Sequence, residues 1–218
     1  MHEKTVVISA FEPFGSYKAN TGALVATCLH NQSLGGRRIV STIFPCDIPT
    51  PGNNRGETLL KLAREHKAAG ILSLGMTSLS PGFWLETRAR NLLHQPKYYS
   101  NPENTLVDPN RPADDILKFD LAPWQFEAFR GAVQRHQLGI VELSGDVGGF
   151  CCEHLAYQVI ATQLSLATPC RLPYGFVHFP CCPQAVENSV DFCRNGKALL
   201  SVENAIQGIE ILLKGAAL

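Results

Sequence analysis

Between Ser144 and His154 the chain reads S-G-D-V-G-G-F-C-C-E-H. Apolar residues Ile140 to Leu143 ahead of it predict a short strand, and the glycines a tight turn. The stretch from about Phe150 to Leu164 then predicts a helix, with Cys152, Leu155, Ala156, Val159 and Ile160 on one face. A cysteine therefore falls in the first turn of a helix. Unpaired N–H groups and the helix dipole at that end favour a thiolate and draw its pKa below the usual value of about 8.5. The same N–H groups suit the oxyanion of a tetrahedral intermediate. This is the nucleophile-at-a-turn logic of hydrolases built on parallel sheets, with Cys in place of Ser. The competing reading has Cys151 and Cys152 simply packing a tight strand–helix junction.

A thiolate nucleophile needs an imidazole partner. Of the seven histidines, His178 stands near the C-terminal end of the predicted strand Leu172 to Pro180. Ligand sites of open α/β sheets gather beyond such ends, where Cys152 and His178 could meet. A third group could orient the imidazole, and Glu86 is the only acid in the predicted strand Phe83 to Asn91 (FWLETRARN). Spacing alone leaves open a hydrogen-bonded strand-end histidine and a surface glutamate paired with Arg88 or Arg90. A different class of reading makes Cys151, Cys152, His154, His178, Cys181 and Cys182 a metal or redox centre. Adjacent cysteines suit a tetrahedral site poorly, because neighbouring side chains diverge on helix and strand alike.

The elements that would carry these residues alternate. Lys4 to Phe11, Arg38 to Phe44 and Gly70 to Leu74 read as strands rich in β-branched residues. Between them, Leu24, Val25, Cys28 and Leu29 share a helical face behind a cap at Asn20 or Thr21. Asn54 and Glu57 open a helix bearing Leu59, Leu62, Ala63 and His66. Five of the 14 prolines lie between Gln95 and Pro123, which predicts either a functional loop or a pair of short edge strands. Trp124 to Gln137 reads as a helix, and Val202, Ala205, Ile206, Ile209, Leu212 and Leu213 mark the last one. The expectation is α/β: a single domain over residues 1–218, an open, twisted, mostly parallel sheet with helices on both faces.

Composition removes other classes. The 218 residues are 45% hydrophobic and 17% charged, which describes a globular chain long enough to bury roughly 70% of its unfolded surface. Nineteen basic residues balance nineteen acidic ones, so the basic excess of a general nucleic-acid binder is missing. No apolar run reaches 18 residues, and the N-terminal run is too short for a signal peptide. A cytoplasmic location is expected, with the eight cysteines reduced and most of them small buried hydrophobes.

The motifs taken in order resemble the pyroglutamyl peptidase I family, the pyrrolidone-carboxylate cysteine peptidases. Phe11-Glu12-Pro13-Phe14-Gly15 matches its F-E-P-F-G; Glu86, Ala89 and Asn91 match its E-x-x-A-x-N. Ser144, Gly148, Phe150 and Cys152 match its S-x-x-A-G-x-F-x-C, with Val147 in the alanine position, and His178 and Pro180 match H-x-P. The resemblance implies Cys152 as nucleophile, His178 as general base and then acid, and Glu86 orienting the imidazole. It implies Phe11, Phe14 and Phe150 around a pyroglutamyl ring, with Asn20 a further substrate-binding residue. No metal or organic cofactor is implied. The substrate would be a peptide with a blocked N-terminus, and small homo-oligomers are common in the family.

The chain also departs from the family. Ser16 follows F-E-P-F-G, G-M-T-S-L-S replaces the usual G-x-A-G-G-R, and Thr87 replaces an arginine. Pro96, beside Lys97, stands where the family has an arginine near the oxyanion. The expectation is a divergent cysteine peptidase; the alternative is a silent or specificity-shifted relative that binds a small N-terminal or lactam ligand.

Overall fold

The computed structural model describes residues 3–47, 53–93, 105–167 and 170–218. Strand β1 (Lys4–Phe11) lies at the centre, parallel to β3 (Arg37–Phe44) on one side and β4 (Ala68–Met76) on the other. Next to β4 comes β11 (Tyr174–Phe179), also parallel, with His178 beside Gly75. Beyond it β5 (Phe83–Glu86) runs antiparallel to β11, and β10 (Val141–Ser144) parallel to β5. At the opposite edge β2 (Ser33–Leu34) is antiparallel to β3. Among the described residues the order is β10-β5-β11-β4-β1-β3-β2, the mostly parallel α/β sheet expected.

Helices cover both faces. Helices α1 (Thr21–Leu29), α3 (Phe126–Arg135) and α6 (Val202–Gly215) lie on one, and α2 (Arg55–Glu65) and α4 (Cys151–Leu164) on the other. Strand alternation sorts the side chains between them. Val6, Ile8 and Ala10, with Leu72, Leu74, Val177 and Phe179, join the first core. Val7 and Phe11, with Ile71, Tyr174 and Phe176, join the second.

Helix starts follow the expected caps: Oδ1 of Asn20 accepts from the Gly22 N–H at 2.9 Å, and that of Asn54 from Glu57 at 3.0 Å. The buried stripe of α1 differs from the expected one. It comprises Thr21, Gly22, Ala23, Val25, Ala26 and Leu29, leaving Cys28 exposed. In α2, Leu59, Leu60 and Ala63 are buried, and His66 caps the exposed C-terminus. Trp124 belongs to a 3₁₀ turn, and Gln125 in the left-handed region breaks the chain before α3 begins. A six-residue helix, α5 (Ser189–Arg194), buries none of its residues, so no apolar period announced it.

The predicted strand Phe83 to Asn91 is two strands. At Thr87 the N–H and Oγ1 both donate to the Ser144 carbonyl at 2.8 Å, ending the pairing with β10. The chain then leaves the main sheet, and β6 (Arg88–Arg90) pairs with β9 (Ile116–Lys118). Beyond Asn91, β7 (Leu92–Leu93) pairs with β8 (Thr105–Leu106). The proline-rich stretch thus holds short strands where it is described; Pro96 and Lys97 lie outside the described residues. Asn91 explains its place in the motif. Its amide donates to the carbonyls of Asp108, Arg111 and Pro112 and accepts from the Asp108 N–H, stapling that segment down.

Candidate active site

Parity places the imidazole. Tyr174, Phe176 and His178 alternate on the α4 side of β11, and the His178 ring lies 4.9 Å from that of Phe176. Phe83 and Leu85 point into the opposite core, so Trp84 and Glu86 share the face of His178. Antiparallel pairing sets Trp84 across from His178 and Glu86 on the diagonal. Oε1 of Glu86 meets Nδ1 of His178 at 2.7 Å, with both residues buried. Glu86 is therefore not a surface carboxylate paired with arginine. Arg88 donates to the Gly145 carbonyl, and Arg90 pairs with Asp146 and Glu153.

Gly75 makes room for the ring. A Cβ at that position would lie 2.4 Å from Nε2 and Cδ2 of His178. The imidazole is thus held between glycine backbone, Phe176 and Glu86, with Nε2 left for the thiol.

The thiol arrives from α4, which packs on the same face. Gly148 and Gly149 have φ of 101° and 66°, a left-handed turn that side chains rarely adopt. The turn is held from within: Oδ1 of Asp146 accepts from Gly148 N–H at 2.9 Å, and the Glu153 carboxylate accepts from Gly149 and Arg90. Glu153 is fully buried, and burial raises its pKa against the pull of Arg90. Helix α4 then starts at Cys151, whose side chain is buried, while Cys152 is half-buried at the cavity. In the first turn of α4 the N–H groups of Cys152 and Glu153 have no acceptor within the helix, so this end offers donors.

The electrostatics make an ion pair of thiol and imidazole. A hydrogen bond from Cys151, then the hydrogen bond and charge of His178, outweigh burial and bring Cys152 down to about 6. Burial opposes the charged form of His178, but hydrogen bonds to Cys152 and Glu86 and their charges push it up to about 10. Near neutral pH the pair is thiolate and imidazolium. Cys151 moves the other way: burial and its hydrogen bonds to Cys152 and Cys46 hold it protonated.

The pair opens into a cavity of about 710 Å³. Phe14 and Phe150, both half-buried, line it. Phe11 borders it but is 1% exposed and packs in the core, 6.5 Å from the Phe44 ring. Asn20 is also on the wall, with its oxygen committed to the α1 cap. Sequence reasoning missed Tyr17, Cys46, Trp84 and Arg90, which line the same cavity. Trp84 was within reach, two residues before Glu86 on the same strand face; Cys46 carried no local signal.

The metal or redox hexad is not brought together. Cys181 and Cys182 lie in the core on the α1 side, and Cys151 in the other. Of the eight cysteines, only Cys151, Cys181 and Cys182 are buried, so the expectation that most are core residues fails. Helix ends and loops carry the others, where small side chains reach solvent.

A thiol in the first turn of a helix, beside an imidazole and a carboxylate paired from neighbouring strands of an open α/β sheet, defines a cysteine hydrolase of the peptidase kind. The profile of the Pyroglutamyl peptidase family matches residues 4–217, so the chain belongs to that family of cysteine peptidases. A pyrrolidone-carboxylate peptidase of Bacillus cereus (strain Q1) is 26% identical over 213 residues, 97% of this chain and 92% of that protein. One from Escherichia fergusonii is 31% identical over 189 residues, covering 83% and 80%. Among solved structures, the pyroglutamyl peptidase I of Bacillus amyloliquefaciens superposes with a TM-score of 0.78 at 20% identity, covering 100% of this chain and 96% of that one. The pyrrolidone carboxyl peptidase of Thermococcus litoralis gives 0.78 at 20%, covering 98% and 93%.

Proposed function

We propose that this chain removes N-terminal pyroglutamyl residues from peptides, with Cys152 as nucleophile, His178 as acid and base, and Glu86 as the orienting carboxylate. The observation that carries the reading is the 2.7 Å Glu86–His178 contact next to a thiol whose pKa is lowered by its neighbours. Thiolate attack on the scissile carbonyl forms a tetrahedral oxyanion, received by N–H groups where the glycine turn enters α4. His178 protonates the leaving amine, and the pyroglutamyl group stays on sulfur as a thioester. A water then gives its proton to His178 and attacks the thioester, releasing pyroglutamate and the free thiol.

A neutral, flat lactam suits a cavity with the rings of Phe14 and Phe150 on its wall, polar backbone supplying the few directed hydrogen bonds. Among the described residues no helix is long and apolar enough to cross a membrane. The reading places the reaction in the cytoplasm, where thiols stay reduced.

Hydrolysis of pyroglutamyl-aminocoumarin, assayed beside the alanyl and prolyl analogues, tests it. Cleavage of the pyroglutamyl amide alone, with loss of about 10³-fold or more in Cys152→Ala, is expected. Equal rates in wild type and Cys152→Ala would sink the assignment.

A further inference from the structure

Beside the nucleophile lies a pair of thiols that the peptidase reaction does not consume. Sγ of Cys46 is 3.0 Å from Sγ of Cys151. They come from separate elements, the loop after β3 and the first residue of α4. Both ends of that contact are held. Arg55, itself buried, donates from Nη1 to the carbonyls of Pro45 and Asp47 at 2.8 Å, bracketing Cys46. Gly56 of the same helix lets α2 sit close on α4; a Cβ there would meet the Gln158 backbone carbon at 2.8 Å. The sulfurs need to approach by only about 1 Å to reach the disulfide bond length of about 2.05 Å. Both cysteines border the substrate cavity; half-buried Cys46 is the one a small reagent can reach, and Cys151, 2% exposed, needs only to meet Cys46.

We propose that Cys46 and Cys151 are a redox modification site, closed to a disulfide by a low-molecular-weight disulfide that enters the substrate cavity, and that closure damps the peptidase. The chemistry balances as two thiol–disulfide exchanges. The Cys46 thiol loses its proton to solvent and attacks one sulfur of R–S–S–R. The S–S bond breaks, R–S⁻ leaves and takes up a proton, and Cys46 carries the mixed disulfide. Cys151 then loses its proton, attacks the Cys46 sulfur and expels the second R–SH. Two protein thiols are oxidised and one disulfide is reduced to two thiols.

The consequence for catalysis follows from the S–H of Cys151. Cys151 directly precedes Cys152 in the first turn of α4 and borders the same cavity, and its hydrogen bond to the Cys152 sulfur is the largest influence lowering that thiol's pKa. A disulfide has no such proton, so the thiolate of Cys152 loses its main support. This step rests on Cys152 being the nucleophile; formation of the bond does not.

The test exposes wild type and Cys152→Ala, freed of added reductant, to hydroxyethyl disulfide, digests each without reduction and maps the peptides by mass. A Cys46–Cys151 link in both proteins is expected, and none in Cys46→Ser or Cys46→Ala. The linked wild type, separated by intact mass from any reagent adduct on Cys152, is then assayed. Its kcat/KM should fall about twofold at pH 7 and about tenfold at pH 5 as the acid limb moves up by about one pH unit, with dithiothreitol restoring both. No link in either protein, or a linked form as active as the reduced one, overturns the proposal. If reduced wild type cleaves no pyroglutamyl amide, the functional reading fails, and the map with Cys152→Ala still decides whether the site exists.

Discussion

The two faces of the sheet bury different things. Under α1, α3 and α6 the strands present hydrocarbon: Val6, Ile8, Leu72, Leu74, Val177 and Phe179 against Ile209, Leu212 and Leu213. Under α2 and α4 the same strands present Ser9, Ser73, Tyr174, Glu86 and His178, all buried. Ser9 and Ser73 share a hydrogen bond of 2.6 Å, and Ser73 reaches the Tyr174 hydroxyl at 3.1 Å, so hydroxyls from β1, β4 and β11 are linked. A buried polar group is costly unless paired, and pairing fixes direction as well as energy. The all-hydrocarbon side is the dry face; the other adds to its own apolar core of Val7, Phe11, Ile71 and Phe176 these paired polar groups, which fix geometry.

The sharpest way to break this contrast is at the carboxylate. Glu86→Gln keeps the volume but loses the charge beside the imidazolium, and kcat/KM should drop by about 10²–10⁴-fold in steady-state assays. Near-native activity would reassign Glu86 to structure. Next in size is Ile209→Ala on the dry face, which should cost about 2–5 kcal/mol in urea unfolding. There kcat/KM per folded molecule should hold; a large kinetic loss would mean the faces are not separable. Gly75→Ala should displace the imidazole and lower kcat by about 10²-fold, while substrate binding in the cavity changes less. A rise in KM with unchanged kcat would contradict that role.

The smallest effect is a pH profile. Below about 6 the Cys152 thiolate takes up a proton and activity falls; above about 10 His178 loses the proton the leaving amine needs. The expected kcat/KM is a plateau between those limbs. A profile flat across both would count against a thiol–imidazole pair.

Much of the frame was legible in local pattern. Lys4 to Phe11 reads as a strand because β-branched residues fill it, and Asn20 and Asn54 announce the helices they cap. Strand ends were less legible where a backbone group outside the segment decided them. Thr87 leaves the sheet because the Ser144 carbonyl, 57 residues away, takes its N–H and hydroxyl. The ordered motifs picked out Cys152, His178 and Glu86 together, although spacing alone left each with a plain structural role.

What the sequence determined by itself is therefore period and chemistry: alternating strands and helices, a cysteine at a glycine turn, a histidine at a strand end. Only the tertiary structure decided the partners. The antiparallel placement of β5 beside β11 brings Glu86 to His178, and the absence of a Cβ at Gly75 leaves room for the ring. The approach of the β3 loop to α4 sets Cys46 against Cys151. These contacts join residues 92, 103 and 105 positions apart along the chain. Side-chain patterns report local periods, whereas pairing over such separations depends on which strands and helices pack together.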